Sequence, residues 1–84
     1  MKVLHIIRRN DDRLAQEMIE HDRADCNVSV ILIQDGVLSR LHVGGDIYAS
    51  VNDVEARGIH TLCKLVDYPE ICKLIIEHDK VVVW

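Results

Sequence analysis

Apolar residues fall along the chain in short runs set apart by charged or turn-forming clusters, and the runs carry two different periods. Val3-Leu4-His5-Ile6-Ile7 is a β-branched run that stops at Arg8-Arg9-Asn10-Asp11-Asp12, which predicts a first strand followed by a helix starting at Asn10 or Asp11. Between Arg13 and His21 the apolar residues Leu14, Ala15, Met18 and Ile19 recur at one-turn spacing, the stripe of an amphipathic crossover helix. Val28-Ser29-Val30-Ile31-Leu32-Ile33 is apolar nearly throughout instead of alternating, which suits a central parallel strand covered on both faces.

Gln34-Asp35-Gly36 breaks that strand, and Val37-Leu38-Ser39-Arg40-Leu41 predicts a brief helix that ends at Gly44-Gly45. Ile47-Tyr48-Ala49-Ser50 reads as a third strand. Asn52 and Glu55 have the spacing of a capping box for a second short helix that Gly58 closes. Lys64-Leu65-Val66 is a short fourth strand. Asp67-Tyr68-Pro69-Glu70 repeats the capping pattern, with Pro69 in a first turn where its missing N–H costs nothing, and predicts a helix to about His78. Val81-Val82-Val83-Trp84 is the last strand. Strands alternate with connections long enough for right-handed crossovers, so the expected fold class is α/β with a parallel sheet, one domain over residues 1–84. Sites in such sheets gather beyond the carboxyl ends of the strands, which here read Arg8-Arg9-Asn10, Gln34-Asp35-Gly36, Ser50-Val51-Asn52-Asp53 and Asp67-Tyr68.

Composition narrows the partners. With 84 residues, 49% hydrophobic and 29% charged, the chain is globular, and a domain this short leaves so much surface exposed that burial against a partner subunit is expected to matter. The net charge of −4 disfavours direct binding to nucleic acid, whose phosphates are held by clustered Lys and Arg. No apolar stretch approaches the roughly 20 residues of a membrane helix, and the first residues lack the apolar region of a signal peptide, so no membrane partner and a cytoplasmic location are expected.

Little in the sequence suggests bound chemistry. The loop after the first strand has no glycine and two aspartates, which argues against a phosphate-binding turn, and no cofactor is expected. Five histidines and three cysteines include one close pair, His60 and Cys63, without a second pair at ligand spacing, so no metal is expected either. An odd number of cysteines without paired spacings indicates reduced thiols. Cys26 lies among Asp22, Asp25 and Asn27, where negative charge disfavours a thiolate. Cys72 reads as a small buried hydrophobe among Ile71, Leu74, Ile75 and Ile76. Cys63, between His60 and Lys64 at an element boundary, is the one candidate catalytic thiol, with plain packing as the alternative. His5, inside the first strand, is expected to be a hydrogen-bonded core or interface imidazole.

Short segments spread in order along the chain carry a family resemblance: Leu4-His5, Gln34-Asp35-Gly36-Val37, Tyr48-Ala49 leading to Ala56-Arg57-Gly58, Asp67-Tyr68 and Trp84. Together they resemble the DsrH/TusB family of sulfur-relay proteins. The resemblance implies a three-layer α/β/α domain with a five-stranded parallel sheet of order 4-3-2-1-5. It implies a subunit of a cytoplasmic heterohexamer with DsrE/TusD-like and DsrF/TusC-like sister subunits, passing persulfide sulfur between sulfur-carrier proteins. The sulfur would end in the 2-thio group of the tRNA wobble uridine or in dissimilatory sulfur metabolism.

In the catalytic sister subunit the persulfide cysteine ends the third strand, eight residues before the glycine of the Arg-Gly pair, and counting back from Gly58 gives Ser50. The first helix, where some members of the family carry a cysteine, has none between Asp11 and His21. The resemblance therefore implies a non-catalytic binding subunit. The alternatives are a small persulfide carrier that uses Cys63 as a homo-oligomer, and a structural homo-oligomer of the same fold. With that strand order, right-handed crossovers would put the first three connections on one face of the sheet and the last helix alone on the other, leaving apolar surface for another subunit to cover.

Overall fold

The computed structural model describes residues 1–40 and 46–84. Its strands are β1 (Lys2–Ile7), β2 (Asn27–Leu32), β3 (Asp46–Ser50), β4 (Lys64–Val66) and β5 (Lys80–Val83). Its helices are α1 (Arg13–Arg23), α2 (Val51–Ala56) and α3 (Tyr68–Glu77), with a 3-10 segment over Gln34–Leu38. The five strands form one sheet of order β4-β3-β2-β1-β5, every pairing parallel, with the apolar β2 at the centre. Fold class and strand order are those expected.

Register decides which side chains share a face, because successive residues of a strand point to opposite sides. His5 lies level with Val30 and Val82, whereas Ile6 lies level with Ile31 and Val83. On the first face Val28, Val30 and Leu32 pack with Ala15 and Ile19 of α1, Val37 of the 3-10 segment and Val54 of α2. On the second, Leu4, Ile6 and Ile31 meet Ile71 and Leu74 of α3. Ile19, Leu4 and Ile31 are wholly buried, and each such side chain contributes about 1.5–3 kcal/mol by leaving water. Among the described helices only α3 lies on the second face, and none of its residues is fully buried.

Local signals select the helix ends. Asp67 and Glu70 form the expected reciprocal capping box at the start of α3, each side chain accepting from the other's backbone N–H, at 2.9 and 3.1 Å. Two starts differ from expectation. The cap of α1 is Asp12, not Asn10 or Asp11: its carboxylate accepts from Ala15 N–H at 3.0 Å, while Asp11 takes a left-handed φ of 54°. The cap of α2 is Ser50, not Asn52, because β3 runs directly into the helix without an intervening loop. Only half of the α1 stripe is core: Ala15 and Ile19 are buried but Leu14 is 61% exposed. Cys72 is half-buried, with Ile76 beside it 83% exposed, so the apolar run on α3 faces outward as much as inward. The brief helix expected over Val37–Leu41 is instead the 3-10 segment, which begins earlier, at Gln34; the part of that expectation from Leu41 to Gly45 lies outside the described residues.

The 3-10 segment starts early because Gly36 passes directly over the end of β1. Its N–H is shared between the Ile33 and Arg8 carbonyls at 2.8 and 3.2 Å, and a Cβ on it would collide with the Ile7 carbonyl oxygen. Backbone cannot yield as a flexible side chain can. Gly36→Ala is therefore expected to lower stability by about 1–3 kcal/mol, seen as a lower midpoint in chemical denaturation. A change below about 0.5 kcal/mol would show that the approach is looser than the backbone geometry indicates.

Candidate functional site

The carboxyl ends of the strands are stitched together by hydrogen bonds between loops. Ile33 N–H donates to Ile7 O at 2.9 Å, which extends the β1–β2 ladder, and Gln34 then turns through a left-handed φ of 51°. The Ser39 hydroxyl accepts from Asp11 N–H and donates to Arg9 O, both at 3.1 Å, so the loop after β1 is fixed to the chain after the 3-10 segment. Asp11 and Gln34 are the only described non-glycine residues with positive φ, and both sit here.

Arg57 completes the rim. Its Nε and Nη2 both donate to Asp35 Oδ1, at 3.2 and 3.0 Å, and its Nη1 donates to Asp53 Oδ1 and Asp53 O, at 3.4 and 3.3 Å. The Gln34-Asp35-Gly36 turn is thereby locked to the end of α2. Ser50 lies between, 7% exposed, its hydroxyl accepting from Asp53 N–H at 3.5 Å as the α2 cap. A shallow groove opens beside it on the α3 side, lined by Ile33, Gln34, Ser50, Asn52, Tyr68 and Ile71.

The cysteines lie elsewhere, and none lines that groove. Cys63 is half-buried against the α1/α2 side of the sheet, just before β4. Since Lys64 lies level with Tyr48, Cys63 is on the opposite face from Tyr48 and Ser50, and about 10 Å from the level of Ser50 toward the amino end in strand rise alone. Its backbone N–H is taken by Thr61 Oγ1 at 3.1 Å, and among the described residues no hydrogen bond joins its thiol to His60 or Lys64. Cys26 also packs on the α1/α2 side, at the amino end of β2. Among the described residues no three His, Cys, Asp or Glu side chains converge on a point where a metal could bind.

The geometry thus joins two of the segments that carry the resemblance, through Asp35 and Arg57, at the end of the sheet where α/β proteins hold their ligands. The family model described as DsrH like protein matches residues 9–81. The chain belongs to the DsrH-like family. Its members are subunits of sulfur-relay complexes, and sister subunits are the partners that membership implies in general. No curated protein matches the chain. No described helix of this DsrH-like chain is long and apolar enough to cross a membrane.

Two features of the DsrH-like chain escape sequence reasoning. The Arg57 clamp joins residues 22 positions apart in sequence, and the resemblance names their two segments separately without pairing them. The second is Tyr48, on the α3 face, in a cleft it shares with Lys64, Glu70, Lys73 and Glu77. Burial, and then the negative charges of Asp46 and Glu77, raise its phenol above the ordinary 10.0. The folded state therefore holds the phenolic proton more tightly than the unfolded chain. The resulting stabilisation is present below about pH 10 and is lost as the pH rises through the folded-state value. In a Tyr68→Phe variant, where Tyr48 is the sole tyrosine, phenolate absorbance is expected to appear with a midpoint above 10.0. A midpoint at or below that value would show that burial and those negative charges do not govern the phenol.

Proposed function

We propose that this chain is a non-catalytic binding subunit of a cytoplasmic sulfur-relay complex that passes persulfide sulfur between carrier proteins, with 2-thiolation of the tRNA wobble uridine as its end use. The partners would be DsrE/TusD-like and DsrF/TusC-like sister subunits. Family membership supports the complex, and the observation that carries the passive role is Ser50. By the resemblance this position is where a sister subunit keeps its persulfide sulfur; here it holds a hydroxyl, nearly buried and committed to capping α2. A cap satisfies a helix N–H but has no sulfur to load or pass on.

Partner binding has its own support in the side chains left open to water. Tyr68, Ile75 and Ile76 of α3 and Val83 of β5 are exposed on or beside the face that α3 covers alone, an apolar surface that another subunit would bury. The net charge of −4 fits a protein partner better than direct contact with tRNA.

The test is relay rate in the reassembled complex. Ser50→Ala is expected to cost about 0.5–2 kcal/mol of stability through loss of the cap. Once the complex is formed, that variant and Cys63→Ser should both pass sulfur within about tenfold of the native rate, which is ~1.4 kcal/mol. A larger loss in Ser50→Ala with assembly intact would contradict the passive role. The same result in Cys63→Ser would make the chain itself a carrier.

A further inference from the structure

His5 is a wholly buried titratable group that the proposed function does not use. Its Nδ1 lies 3.0 Å from the indole Nε1 of Trp84, and its Nε2 lies 2.9 Å from Oδ2 of Asp22. The two rings are nearly parallel, 15° apart in plane, with their centroids 6.1 Å apart. An indole nitrogen can only donate, so Nδ1 of His5 must present a lone pair, and the single imidazole proton must sit on Nε2, where it bonds the Asp22 carboxylate. The geometry thus sets one tautomer of a neutral ring, with Trp84 on one side and Asp22 on the other.

A second proton would act on the two sides differently. At Nε2 the bond to Asp22 becomes a charge-assisted pair and is strengthened. At Nδ1 an acceptor becomes a donor, so two N–H groups face each other across 3.0 Å and the Trp84 bond is lost. We propose that Trp84 is a proton-released latch: protonation of His5 at Nδ1 frees the indole from the sheet while the pair between His5 and Asp22 keeps β1 and α1 together. Trp84 is placed to move. It directly follows β5, an edge strand paired only with β1, and its half-buried ring packs on the core cluster beneath α1. Its main chain stays tethered, with its N–H on Ile6 O at 2.9 Å and its O accepting from Arg8 Nε at 2.8 Å.

The charged groups around His5 come from three elements. On α1, Asp22 faces it directly, and His21 stands 3.7 Å from the second Asp22 oxygen. Just after β1, Arg8 reaches Trp84 and not the imidazole. On β5, Lys80 shares the face at the exposed end, level with Val3. The register neighbours Val30 and Val82 carry no charge.

Trp84 is the only tryptophan in the chain, so its fluorescence reports the latch directly. On acidification of the native chain, emission should shift to longer wavelength and the indole N–H resonance should be lost to exchange. Both should follow protonation of His5 by nitrogen NMR, with backbone circular dichroism unchanged. At neutral pH the same NMR experiment should show the proton on Nε2. In His5→Gln the emission should not respond to pH. The latch is overturned by a proton on Nδ1 at neutral pH, by an indole that stays bonded after His5 protonates, by release only on global unfolding, or by an emission shift that survives in His5→Gln. The NMR measurements need only the native chain, so the idea can fail even if that variant does not fold.

Discussion

A crossover between parallel strands has to be right-handed, and once the strand order is β4-β3-β2-β1-β5 that handedness leaves no freedom over which face each connection occupies. The steps from β1 to β4 all move the same way across the sheet, so α1, the 3-10 segment and α2 share one face. The step from β4 to β5 moves back, so α3 has the other to itself. The consequences are visible side chain by side chain: Val28, Val30 and Leu32 are sealed under three connections, whereas α3 has no fully buried residue and leaves Tyr68, Ile75 and Ile76 in water. The exposed surface follows from topology and not from a poor sequence for the helix, since α3 has a complete capping box and a well-placed Pro69.

The same order puts the carboxyl ends of β1, β2 and β3 side by side, and there the polar residues are used to fasten loops. Ser39 holds the loop after β1, Arg57 holds Asp35 to Asp53, and Ser50 caps α2. Each of these three side chains has a partner within the chain, so the loops they join form a cross-braced platform. A preorganised platform of this kind costs little to order when a second protein docks on it, which suits a subunit that contributes surface to a relay.

Strands and most of the topology were legible because each signal is local: β-branched runs for β1 and β2, Asp67 with Glu70 for α3, and handedness for the faces. The strand order came from the resemblance. The starts of α1 and α2 differ from expectation by one to two residues because more than one capping residue is on offer, Asn10, Asp11 and Asp12 before α1 and Ser50 and Asn52 around the start of α2, and only the backbone path selects among them. A buried, hydrogen-bonded His5 was legible from its place in an apolar strand. Its partners were not: Asp22 and Trp84 lie 17 and 79 residues away, and no local pattern links them. Cys63 stood out as a candidate thiol because His60 and Lys64 are near it in sequence, yet among the described residues no hydrogen bond joins its thiol to either, and its side chain packs on the core cluster under α1 and α2.

The central claim, that this chain binds within the relay without carrying sulfur, is tested most directly by following the sulfur itself. The complex reassembled with its sister subunits would be loaded from a donor with isotopically labelled persulfide, and the label mapped by mass spectrometry at intermediate times. The account predicts label on a sister subunit and on the carriers, with Cys26, Cys63 and Cys72 unlabelled throughout. Transient label on any of these three cysteines, appearing and clearing at the rate of transfer, would contradict it.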